Sequence, residues 1–345
     1  MGNISSLIAS ELLKKINLER AKDKKAVLKN LNNETIGQTI LQLNSIPFVI
    51  EINQYKNAHS SANPTGDYRA AYQFALLSDT IPLLFPTYVD SLNSVSKIWG
   101  NIVNNANAFS KYSQAVFESA RNSYNFSKLS GFGGIPEDWY NVQAKPSDWV
   151  ELLDSGSNLV EIEIDLANAV ANSEDFLILS GNDSNLSWKI FDSHKNYAEI
   201  PLNVNSKITR IYLKLLRVDF YRSWLNFEIL NNNSWKIDGL DKGYFSNGSL
   251  IGNKGSFPLI PQSVLIGSRI EVEGNFDPTD REILSSNRKT SENVVCMGTF
   301  VLNNIIESPK SDNVEKDTMI LTSDVKQVIG YISRLIPESP PLSGE

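Results

Sequence analysis

Apolar residues recur along this chain in two rhythms. Between Thr87 and Tyr124, Leu92, Val95, Trp99, Ile102, Ala106, Phe109, Val116 and Ala120 fall on alternating steps of three and four, with a gap only at Ser113. Such spacing puts all of them on one stripe of an α-helix, the seam of a bundle or coiled coil. It predicts one long helix over about 87–124, capped by Thr87 with Asp90 in the capping-box position. Gly100 and the cluster Asn101, Asn104, Asn105 and Asn107 are poor helix formers and mark a candidate kink or break near 104–107.

The same rhythm predicts shorter helices upstream. Ile4, Leu7, Ile8, Leu12 and Ile16 form the apolar face of a first helix. Ile36, Ile40 and Leu43 suggest a second over Glu34–Leu43, followed by a short strand at Phe48–Ile52. Residues 56–66, rich in Ser, Asn, Pro and Gly, read as a loop. A third helix is expected over Asp67–Ser78, with Tyr68, Ala71, Tyr72, Ala75 and Leu76 turned inward. Ser130-Gly131-Phe132-Gly133-Gly134-Ile135-Pro136 reads as a helix stop and connector. Pro136-Glu137-Asp138-Trp139 and Pro146-Ser147-Asp148-Trp149 suit the first turns of two short helices whose tryptophans pin the two halves together.

Beyond Gly131 the period drops to two. Val160, Ile162, Ile164 and Leu166 alternate with Glu161, Glu163 and Asp165, a half-buried strand with carboxylates on its wet face. Further runs at Phe176–Ser180, Leu186–Phe191, Ile208–Phe220, Val264–Glu273 and Val294–Asn303 lack regular intervening helices, which predicts an antiparallel sandwich. In the strongest run the apolar phase changes between Leu215 and Leu216, the mark of a bulge or of burial on both faces. Residues 239–255 and 275–293 read as polar loops. Val325, Val328, Ile329, Ile332, Leu335 and Ile336 predict a last helix, and 338–345 an exposed tail.

These patterns together predict an α+β protein. Its N-terminal helical bundle, with one long helix, spans 1–130, and a connector with short helices spans 131–158. A mainly antiparallel β-sandwich over 159–318 and a C-terminal helix and tail over 319–345 complete it.

Charge and motifs narrow the chemistry. A net charge of −7 argues against a general nucleic-acid binder, which needs a basic surface. Cys296 is the only cysteine, so no intrachain disulfide forms, and two histidines cannot make a multi-histidine metal site. No Walker, G-x-S-x-G, H-E-x-x-H or C-x-x-C motif occurs. No catalytic, cofactor or metal residue is assigned, and no cofactor is expected. Residues 1–25 lack the apolar core of a signal peptide, and no apolar run has the roughly 18 residues of a transmembrane helix. The expectation is a cytoplasmic protein or one exported by a non-standard route.

Five of the six tryptophans lie between 139 and 235. Trp188, Trp224 and Trp235 are candidates for an aromatic platform, although core packing is the commoner use of such residues. Arg217, Asp219 and Arg222 follow the phase change. Arg217 and Asp219 share a strand face and read first as a structural ion pair, and the two arginines as a candidate grip on a ligand. The expected function is non-enzymatic interaction or assembly with a macromolecular partner, protein or glycan, through the β domain or the bundle. One alternative is a membrane-acting, toxin-like protein that uses the long amphipathic helix. That likeness to α-helical pore-forming proteins is one of outline only. The other is a carbohydrate-binding module built on the tryptophans. The long seam also offers a surface for self-association.

Overall fold

The computed structural model describes residues 8, 9, 11, 12, 15, 39–81, 94–166, 187–191, 197–288, 294–307 and 318–344. The helices are α1 (Tyr68–Ser78), α2 (Val95–Asn105), α3 (Lys111–Phe126), α4 (Trp149–Ser155) and α5 (Pro278–Arg288). The first six strands longer than two residues are β1 (Thr39–Val49), β2 (Gln143–Lys145), β3 (Val160–Asp165), β4 (Ser187–Phe191), β5 (Tyr197–Pro201) and β6 (Lys207–Tyr221). After them come β7 (Leu259–Asn275), β8 (Val294–Met297), β9 (Phe300–Leu302), β10 (Asn304–Glu307), β11 (Thr318–Ser323) and β12 (Gln327–Leu335).

Two long strands, β6 and β7, form the axis of the molecule. They pair antiparallel from Asp219 opposite Ser263 to Lys207 opposite Asn275. Shorter strands lie end to end along each outer edge: β2 and β3 along β6, β12 and β11 along β7. β1 then closes onto β12 and β10 onto β11. A second sheet has the order β9–β8–β4–β5.

The long sheet carries a different core on each face. On one face lie α1, α2, α3 and α4, packed through Phe74, Trp99, Phe117 and Trp149 against Leu216, Val218, Val264, Ile266 and Val328. On the other, Ile211, Leu213, Leu215, Ile270, Val272 and Ile329 meet Trp188, Val295, Met297 and Phe300 of the second sheet. Ile8 and Leu12, in a helical stretch, join this second core. Burying one such aliphatic side chain contributes about 1.5–3 kcal/mol.

The change of phase between Leu215 and Leu216 follows from this layering. Along Lys207–Leu215 only one face of β6 is covered. Its other face is a wet ladder in which Arg210 pairs with Glu273 at 2.8 Å and Lys214 with Glu161 at 2.6 Å. Beyond Leu215 the helices cover the second face, so Leu216 and Val218 are buried as well. A bulge at Ser268 lies opposite this point on β7. The alternation in β3 is that of a half-wet strand, with Ile162 and Ile164 buried and Glu161, Glu163 and Asp165 exposed.

Among the described residues there is no N-terminal helical bundle with a long helix; strands predominate. The predicted helix over 87–124 is two helices, α2 and α3. Ala106 turns to an extended φ/ψ, Asn107–Ala108 pairs as a strand with Trp235–Lys236, and Ser110 caps α3. The asparagines favour this break, and Phe109, expected in the seam, is 56% exposed. The N-cap of α2 is Ser94; Thr87 and Leu92 lie outside the described residues.

Thr39–Leu43, expected as the end of a helix, is strand β1, and the predicted C-terminal helix is strand β12. β12 lies between β1 and β7, and seven of its nine residues would be read as apolar or small. A strand buried on both faces loses the two-residue alternation, and its apolar residues then fall on helical steps by chance. Residues 278–288 of the predicted second loop form α5. The closing segment is not an exposed tail, since Ser339 and Pro340 bond to Phe245 and Gly243. The boundary expected at 130/131 carries a hairpin in which Lys128–Leu129 pairs with Trp139–Tyr140, and a single core runs across it. Trp139 thus sits in a strand, whereas Trp149 does begin a short helix. The strand expected at 176–180, and His194, lie outside the described residues.

Candidate functional site

Helix α1 separates two clefts. It begins where the sequence predicts, with Asp67 capping it by accepting the Arg69 N–H at 2.7 Å. On one side is a cavity of about 320 Å³ lined by the 57–63 loop, Phe74, Gln143 and the start of α4. On the other is a larger cleft of about 590 Å³, bounded by α1, the start of α2, Tyr124 of α3 and the 128–140 hairpin. Its lining includes Tyr72, Asp79, Ser96, Lys97, Lys128, Glu137, Asp138, Trp139 and Tyr140.

Each wall of the larger cleft is fixed by its own bonds. Asp79 ends α1 and reaches the first turn of α2, accepting the Ser96 N–H and the Ser96 hydroxyl, each at 2.7 Å. It thereby caps a second helix, at an end where a negative charge is favoured. Burial nevertheless pushes its carboxyl above the usual range, outweighing the Ser96 and Ser94 bonds and the nearby Arg222 charge. Tyr124 stacks on Tyr140 with ring centroids 4.3 Å apart and donates to the Ser96 carbonyl at 3.0 Å. That reach needs Gly100, because a Cβ there would stand 2.2 Å from the Tyr124 hydroxyl oxygen. Burial raises the phenols of Tyr124 and Tyr140. At the rim Tyr72 donates to Glu137, and Lys128 pairs with Asp138.

The six residues picked out from sequence do not form one site. Trp188 belongs to the other core, fully buried, its indole donating to Asp280 at 2.9 Å. Arg217 and Asp219 form an ion pair at 2.6 Å, shared with Ser263. Arg222 is apart from them and buried, donating to the Ser78 carbonyl at 2.6 Å and the Pro261 carbonyl at 2.8 Å, so it ties the end of α1 to the long sheet. Burial pulls its guanidinium down to about 10, which leaves it charged at neutral pH. Trp224 lies in the cleft lining but is buried, its indole held by the Asn141 carbonyl at 3.1 Å. Trp235 is fully buried and edge-on to Phe117. All six tryptophans are buried, so none displays an open ring face.

The cleft residues Asp79, Ser96, Tyr124 and Tyr140 carry no motif. The one signal near them is Pro136-Glu137-Asp138-Trp139, read above as a helix start; it is the returning arm of the hairpin and contributes three residues to the cleft. Among the described residues no group of His, Cys, Asp and Glu is placed to hold a metal ion, and no helix is long and apolar enough to cross a membrane. Comparison with family models, with curated proteins and with solved structures found no match to this chain.

Proposed function

We propose that this is a binding protein that holds a ligand, free or carried on a macromolecular partner, in the cleft between α1, α2 and the 128–140 hairpin. The observation that carries this reading is the cleft itself. Its volume of about 590 Å³ falls within the roughly 300–1,000 Å³ of small-molecule sites. Its lining combines ring surface with a few polar groups held in place by the bonds around Asp79, Ser96 and Tyr124. Binding is favoured over catalysis because the Ser96 N–H and hydroxyl both hold Asp79 in place at the first turn of α2, a structural use of that pair.

The tryptophan-platform reading loses its ring faces to burial. The toxin-like reading drew on a long amphipathic helix over about 87–124; the described part of that stretch is two shorter helices joined through Ala106–Ser110, which lends it less support.

Leu76 offers a clean test, since it lines the cleft and is 47% exposed. Leu76→Trp fills the cleft without cutting into a core. Ligand-observed NMR on a fragment mixture is expected to find binders to the wild-type protein whose signals vanish with the variant. A mixture that gives no binder sensitive to Leu76→Trp overturns the proposal.

A further inference from the structure

The geometry points to a saccharide as the occupant of the Asp79 cleft, recognised by tyrosine faces and a balanced rim of acceptors and donors. This rests on the reading of the cleft as a ligand site. A sugar ring has a C–H face that packs on aromatic surface and an edge of hydroxyls that each donate and accept. A site for it needs flat ring surface beside both kinds of polar group.

The cleft has these parts. Tyr72 and Tyr140 are the partly exposed rings, backed by buried Trp139 and Tyr124. Asp79 and Glu137 supply carboxylate acceptors, and an ionised carboxylate has about four lone-pair sites, more than their protein partners use. Ser94 adds a hydroxyl and Lys97 an ammonium.

The charges close to zero. Asp79, Glu137 and Asp138 stand against Lys97 and Lys128 in the lining, with Arg222 charged and buried close behind Asp79. An anion would meet the rim carboxylates, and a cation would meet Lys97 and the field of Arg222. Neither gains from the summed potential, whereas a neutral polyol uses both signs through hydrogen bonds.

The test is saturation-transfer NMR with matched ligands: neutral glucose, galactose, mannose and N-acetylglucosamine, the amine glucosamine, the acid glucuronate, and the non-sugars butylamine and butyrate. Thermal unfolding first confirms that each variant is folded. At least one neutral saccharide is expected to bind the wild-type chain, to lose its signal with Leu76→Trp, and to bind ten-fold or more weakly with Glu137→Gln or Tyr140→Leu. Tyr140 stacks on Tyr124, so if Tyr140→Leu fails to fold, the surface variant Glu137→Gln decides. If only charged non-sugars bind, and Leu76→Trp abolishes their binding, the saccharide inference is overturned and the cleft reading stands. Saccharide binding that survives Leu76→Trp, or no cleft-dependent binding at all, overturns both.

Discussion

The two cores on either side of the long sheet are made of different material. The core under the helices holds Trp99, Trp139, Trp149, Trp224 and Trp235, while the core between the sheets is mostly Ile, Leu and Val with Trp188 alone. In the aliphatic core, strands in register stack side chains most of which carry no polar atoms. The aromatic core knits together short helices, a hairpin and loops through indoles that also hydrogen-bond: Trp99 donates to the Trp224 carbonyl, and Trp224 to that of Asn141. Both described clefts open on this side, lined by residues of the aromatic core. The comparison teaches that regular pairing makes this protein firm, and that the site lies where pairing gives way to aromatic packing.

The strongest way to break that comparison is Trp99→Ala. It removes a fully buried ring and strands the Trp224 carbonyl, and is expected to cost about 3–5 kcal/mol in denaturant unfolding. The polar anchor of the opposite core comes next. Asp280 accepts from the Trp188 indole, the Asn203 N–H and the Ser206 hydroxyl, so Asp280→Ala leaves the buried indole unpaired and releases two half-buried donors, and is expected to cost about 3 kcal/mol. Ile329→Val trims one methyl in the aliphatic core and should cost about 1 kcal/mol, read the same way. Were it to match Trp99→Ala, the contrast between the cores would fail.

Cys296 sharpens the comparison without a stability measurement. Burial pushes its thiol up to about 12, so a disulfide-exchange dye at pH 8 is expected to label it only in denaturant. A raised pKa in the fold means that this stabilising term is fully present below the free thiol's pKa and is lost as pH climbs toward 12. Fast labelling of the folded chain would show that the second core opens. The smallest effect belongs to the wet ladder. Lys214 holds the Glu161 carboxyl below the usual range, so its contribution is present above that range and fades as pH falls through the lowered value. The pair is exposed, and Glu161→Gln is expected to leave the unfolding midpoint nearly unchanged at high salt.

Where one face of an element meets water, its pattern was readable. The alternation of 160–165 and the helix beginning at Asp67 record a wet side opposite a dry one, and the phase change at Leu215/Leu216 records where the wet side ends. Residues 39–43 and 327–335 carry a misleading helical spacing because β12 is covered on both sides and β1 has only a short run before its bulge. Neither keeps an alternation long enough to tell a strand from a helix. Residues 95–126 kept a true helical rhythm, and only the asparagines hinted that the rhythm belonged to two helices.

The candidate site was almost illegible. Asp79, Ser96 and the arm carrying Glu137 and Tyr140 come from three separate elements, and nothing local ties one element to another.

The sequence by itself determined which segments have a dry side and how strongly each is amphipathic, because those properties are carried by neighbours a few residues apart. Only the tertiary structure decided that β12 lies at the heart of a sheet, that the tryptophans face inward and that Asp79 meets Ser96. Those outcomes depend on partners far away in the chain, such as Leu77 and Tyr331, whose bond spans 254 positions. No local spacing encodes them.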